Sequence, residues 1–114
     1  MNTDNLKQLA EQIKQELEQI EQDANRGIEI ARNLLNIFPD NAIIIGYFAR
    51  FSNYLFFVES SRRGIESVEE VVDNSDVTGE EVKESGEYLS TLLGSTIEAR
   101  MVVDNIRSEL ENLT

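Results

Sequence analysis

Carboxylates are the one chemically capable residue type this chain holds in quantity, and two short strings space them so that they could act together. Glu80-Glu81-Val82-Lys83-Glu84 has the form EExxE, and Glu70-Val71-Val72-Asp73 has the form ExxD. Acids three or four positions apart share a helix face. There Glu80, Glu81 and Glu84 could hold Mg²⁺ jointly, since hard cations take oxygen ligands. A simpler role competes for the same residues. Thr78-Gly79-Glu80-Glu81 matches a capping box, in which the Thr78 hydroxyl and the Glu81 carboxylate satisfy each other's free backbone amides. The acids then form a solvated helix start and bind no metal, and this is the expectation adopted. The preceding Asp73–Thr78, DNSDVT, does not place glycine and oxygen ligands at the spacing of an EF-hand loop. It reads as a turn.

Little else in the chain could do chemistry. There is no His and no Cys among the 114 residues, which removes the commonest general base, the commonest transition-metal ligand and the thiol nucleophile. Di-iron bundles need Glu-x-x-His pairs. No Gly-rich phosphate loop or nucleophile elbow is present. No enzyme and no cofactor is expected. The EExxE and ExxD strings do resemble the metal signature of the all-helical nucleotide pyrophosphohydrolases related to MazG. In that family ExxD follows EExxE on the next helix, whereas here it precedes it. The resemblance implies, as an alternative, a divergent Mg²⁺-dependent hydrolase using Glu80, Glu81 and Glu84.

The net charge is −12, from 22 acids against 10 Lys and Arg. Such a surface repels a nucleic-acid backbone or an anionic membrane. It suits a basic partner, or mimicry of a polyanion, so a DNA mimic that occupies a nucleic-acid-binding protein is a second alternative. Residues 1–25 lack a basic start, an apolar run and a small-residue cleavage site, and the expected location is cytoplasmic. Residues 42–58 are too short to span a bilayer comfortably and are interrupted by Arg50, Ser52 and Asn53.

The elements that carry these residues are three long helices in one domain, residues 1–114. Pro39, the only proline, lacks an amide donor and restricts Phe38, so it ends the first helix. Asp40 or Asn41 caps the second. The expected spans are 4–37, 41–72 and 79–113, each about 50 Å long at about 1.5 Å per residue. The first helix carries an apolar stripe at Leu6, Leu9, Ile13, Leu17, Ile20, Ala24, Ile28, Ala31, Leu35 and Phe38. The third carries Val82, Ser85, Leu89, Leu92, Thr96, Ala99, Val103, Ile106, Leu110 and Leu113. Steps of three and four mark the seam of a coiled-coil-like bundle, and short turns make consecutive helices antiparallel. Folding about the two turns sets Gly27 near Phe51, Gly94 near Phe57 and Gly86 near Ile65. Small residues then receive large ones. It also puts Arg26, Arg50 and Arg100 at one height, where they could form an anion-binding belt or simply pair with nearby acids.

The second helix is the unusual one. Its seam is Ile44, Phe48, Phe51, Leu55, Val58, Arg62 and Ile65, yet Ile43, Ile45, Tyr47, Tyr54 and Phe56 widen the apolar arc on both sides. Thirteen of the 17 residues from Ala42 to Val58 are apolar. That arc exceeds what neighbouring helices in one chain would cover. The expectation is an all-α, antiparallel three-helix bundle of long helical hairpins that dimerises through this helix into a six-helix bundle. The expected interface is Ile43, Tyr47, Arg50, Tyr54 and Phe57. The function expected of it is that of a non-enzymatic interaction, adaptor or regulatory module.

Overall fold

A computed structural model describes residues 2–114 as three helices: α1, Thr3–Ile37; α2, Ala42–Asp73; and α3, Gly79–Glu111. They pack side by side into a rod of 58 × 18 × 16 Å. The fold is the expected three-helix bundle, and the helix limits fall within two residues of those read from the sequence.

Local chemistry sets each boundary. Asn2 caps α1 by accepting from the Asn5 amide, and Phe38 closes it with its own amide bonded to Leu34. Asn41 accepts from the amides of Ile43 and Ile44 at the start of α2. The capping box at α3 forms in full: Glu81 N–H donates to Thr78 Oγ1 (3.1 Å) and Thr78 N–H donates to Glu81 Oε1 (3.1 Å). These bonds satisfy amides that a helix start otherwise leaves without partners.

Helix α1 is the hub. It packs extensively against both α2 and α3, whereas α2 and α3 touch each other much less. Its buried line is Leu6, Ala10, Ile13, Leu17, Ile20, Ala24, Gly27, Ile30, Ala31 and Leu34. Ile28 and Leu35, expected in the seam, are only half-buried, because α1 serves two neighbours and the covered stripe is broader than a single seam. In α3 every expected position from Ser85 to Leu110 is buried. Phe38 and Leu113 are corrections: both lie beyond the helix ends and are more than half exposed.

Toward the first turn the register between α1 and α2 is the expected one, while further along it drifts, so that Arg62 meets Glu21. Phe51, fully buried, lays its ring directly on Gly27, where any Cβ would collide with it. The register between α2 and α3 departs from expectation. Gly94 has open space around it, and Phe57 instead shares a groove with Ser95, Glu98 and Ala99. Near the second turn the two helices stay close, with the Tyr88 hydroxyl over Gly64. Further along they are offset by several residues, so Tyr47 meets Glu109. Gly86 is buried, whereas Gly94 is exposed.

Candidate protein-interaction surface

The acids singled out in the sequence are dispersed in use. Glu81 is committed to the cap of α3, while Glu80 and Glu84 are exposed. Asp73 pairs with Lys7 at 2.9 Å. Among the described residues no three acids converge closely enough to hold a metal ion.

Other acids bind the helices to one another. Lys14 reaches Glu69 at 2.8 Å and Arg62 reaches Glu21 at 2.7 Å, linking α1 to α2. Arg100 donates to Glu16 at 2.7 Å, linking α3 to α1. Arg107 lies among Asp104 (2.6 Å), Glu111 (2.9 Å) and Asp23 (3.4 Å), the last contact without hydrogen-bond alignment for the buried Nε. Each of these cations except Arg107 is more than a third exposed, a setting in which an ion pair contributes about 0–1 kcal/mol. The hydrogen bond to Glu69 holds the Lys14 ammonium above its ordinary value, against a smaller opposing effect of burial. The same cause, a bond to Glu21, raises Arg62.

The three arginines expected at one height are not a belt. Arg26 pairs with Glu29 and Glu111, whereas Arg100 pairs with Glu16. Ten residues of α1 separate those two levels, about 15 Å. The α3 chain sits further along than the short-turn folding implied. Arg50 makes no ion pair among the described residues and is exposed.

The expected interface residues divide between two settings. Tyr47, Tyr54 and Phe57 are half-buried on the flank of α2 that faces α3. Tyr54 and Phe57 line a cleft of about 230 Å³ with Asn53, Ser95, Glu98 and Ala99. Tyr47 donates its hydroxyl to Glu109 at 2.5 Å, a bond that raises the tyrosine above its ordinary value by favouring the protonated phenol. Ile43 and Arg50 are exposed, Ile43 by 66 %.

The apolar surface that α2 turns outward is a different row. Ile45 is 48 % exposed and Phe56 is 67 % exposed, with exposed Ala49 and Ser52 between them. Their intervals of four, three and four put all four on one helix face. A strict seam search for the core passes over this row, although Ile45 and Phe56 are visible in the widened arc. The stretch from Asn41 to Val58 is also the longest in the chain without Asp or Glu, with Arg50 its one charge. At the turn between α1 and α2, Ile37, Phe38 and Ile43 are exposed, and exposed Leu113 shares a groove with Phe38.

No helix among the described residues is long and apolar enough to cross a membrane. No family model, curated protein or solved structure matches this chain.

Proposed function

We propose that the protein is a non-enzymatic interaction module, adaptor or regulator, that works as a homo-oligomer. Two copies meet through α2 in a six-helix assembly, and the acidic outer faces of α1 and α3 remain free for another protein. The observation that carries this is the outward row Ile45, Ala49, Ser52 and Phe56, set in an acid-free stretch of a chain with net charge −12. Exposed large apolar side chains grouped on one face mark interaction surfaces. Two copies of so acidic a chain can approach most easily where neither carries a carboxylate.

The DNA-mimic alternative draws on the same charge. Lys7, Lys14, Arg62, Arg100 and Arg107, paired along the rod, break up its carboxylate faces, and the interaction module is preferred.

Light scattering on the wild type and on an Ile45→Glu/Phe56→Glu variant tests the proposal. A wild-type dimer and a helical, monomeric variant are expected. A wild type that stays monomeric at high micromolar concentration would refute self-association. A variant that remains dimeric would move the interface off this row. A Tyr47→Glu/Tyr54→Glu variant examines the α3-facing flank, and its circular dichroism separates lost association from lost packing.

A further inference from the structure

We infer that the second copy lies antiparallel on α2, with residue i opposite residue 101 − i of the partner copy and the two-fold axis between Arg50 and Phe51. This rests on the α2-mediated self-association proposed above and fixes its geometry.

The outward row reads large, small, small, large: Ile45, Ala49, Ser52, Phe56. In antiparallel helix pairs the two kinds of seam position face each other. Ile45 then packs on Phe56 of the partner copy, and Ala49 on Ser52 of the partner copy. Each contact occurs twice. The small central pair lets the backbones approach, and a bulky pair closes each end.

Charge decides the direction. All five acids of α2, Glu59, Glu66, Glu69, Glu70 and Asp73, follow Val58. A parallel pair would set the two acidic halves side by side just beyond the apolar strip. In the antiparallel register they project past opposite ends. Glu66 of one copy is then about 46 Å along the axis from Glu66 of the partner copy, at about 1.5 Å per residue. That is several times the Debye length of about 8 Å at physiological salt. The register also sets Glu59 opposite Ala42 of the partner copy, in the first turn of that α2. This is the one helix whose first turn contains no acid, and a carboxylate there complements the positive end of the helix dipole.

The shared strip, Ala42 to Glu59, is about 27 Å long and one helix wide, about 300 Å² in footprint. Standard interfaces cover about 800 Å² on each partner, so this dimer exchanges on dilution, and the experiment is run at high micromolar concentration.

The chain has no Cys, so single substitutions report proximity without background. Ile45→Cys and Phe56→Cys chains of different tagged mass are mixed and mildly oxidised. A second pair, Ala42→Cys with Glu59→Cys, leaves the apolar row intact. Mixed disulfides should exceed both self-linked products at least fivefold in each pair. Self-linking is disfavoured because Ile45 lies about 16 Å along the axis from its own copy, and a disulfide needs Cα atoms within about 7 Å. Predominant self-linking would show a parallel pair and overturn the register while leaving self-association standing. A dimer by light scattering that yields no cross-link in either pair would place the contact elsewhere and overturn the register and the α2 site together. A wild-type monomer under the same conditions would overturn self-association itself.

Discussion

Adding a single methyl group at Gly27 should separate packing from helix propensity. In a helix interior, Gly→Ala ordinarily stabilises by about 1 kcal/mol. At Gly27 the new Cβ would fall on the Phe51 ring, 2.6 Å from Cε1. Phe51 is 0 % exposed, so the ring cannot swing into solvent and must push on its neighbours in the core. Overpacking of this kind costs about 1–3 kcal/mol. The net effect of Gly27→Ala is therefore a loss of about 0–2 kcal/mol. Gly94→Ala is the matched control, mid-helix in α3 with nothing within 4 Å of the added atom, and it should gain about 0.5–1 kcal/mol. The two variants should differ by about 1–3 kcal/mol. At about 4 °C per kcal/mol for a domain of this size, their melting temperatures should differ by about 4–12 °C. Thermal and urea unfolding followed by circular dichroism measure this. Phe51→Leu, made in the wild type and in the Gly27→Ala variant, completes a double-mutant cycle. The smaller side chain should cost less in the Gly27→Ala variant than in the wild type. If Gly27→Ala is stabilised as much as Gly94→Ala, the Phe51 ring does not sit on Gly27 and the α1–α2 register is wrong.

Three further outcomes are expected. Thr78→Ala should cost about 1 kcal/mol in urea unfolding through loss of the α3 cap, and Glu81→Gln, which keeps an acceptor, should cost less. Stability should stay level through neutral pH and fall above about pH 10. Lys14, with an ordinary value of 10.5, is raised by Glu69, and Tyr47, with an ordinary value of 10.0, is raised by Glu109. A raised value means the folded state holds its proton more tightly, so the stabilisation is complete below the ordinary value and vanishes as pH passes the folded one. A Tyr47→Phe variant should show a shallower alkaline decline, and an unchanged slope would exclude the Glu109 bond as its source. Thr96 is 0 % exposed and donates to Leu92 O at 2.7 Å within its own helix. Thr96→Val keeps the shape and removes both the donor and its need for a partner, so it should change stability by less than about 1 kcal/mol, whereas Thr96→Asn, larger and more polar, should cost more.

Much of the fold was legible because its signals are local. Pro39 and the Thr78–Glu81 box mark chain reversals through backbone chemistry that no tertiary contact needs to supply. The Gly27–Phe51 contact followed from the Pro39 turn, which is tight enough to leave little freedom in register. The Asn74–Thr78 turn is looser, held by Asp76 N–H on Asn74 Oδ1. An offset of a few residues there moved Phe57 from Gly94 to Ala99, and it adds to a drift between α1 and α2 in setting Arg100 on Glu16 instead of at the level of Arg26. The outward face of α2, on which the proposed self-association rests, was less legible. Width of the apolar arc singled out α2, but periodicity alone could not say which edge α3 would cover. Tyr47, Tyr54 and Phe57 proved to flank α3, and the outward row was Ile45, Ala49, Ser52 and Phe56. Exposure at Phe38 and Leu113 was hidden because both continue an apolar pattern past the point where the helix stops.

The central place of α1 has a consequence for the order in which the chain can assemble. Its two neighbours are reached over very different lengths of chain: Glu21 meets Arg62 across 41 positions, and Glu16 meets Arg100 across 84. Each doubling of a closed loop adds only about 0.6 kcal/mol of entropy cost, but synthesis imposes a sequence that entropy does not. As the chain leaves the ribosome, α1 and α2 can zip together first. One side of α1 then waits, uncovered, until the last third of the chain arrives alongside it and parallel to it. A chain interrupted after Asp73 would be a helical hairpin with the side of α1 that α3 covers left open to water, and its fate would be aggregation or capture by a chaperone.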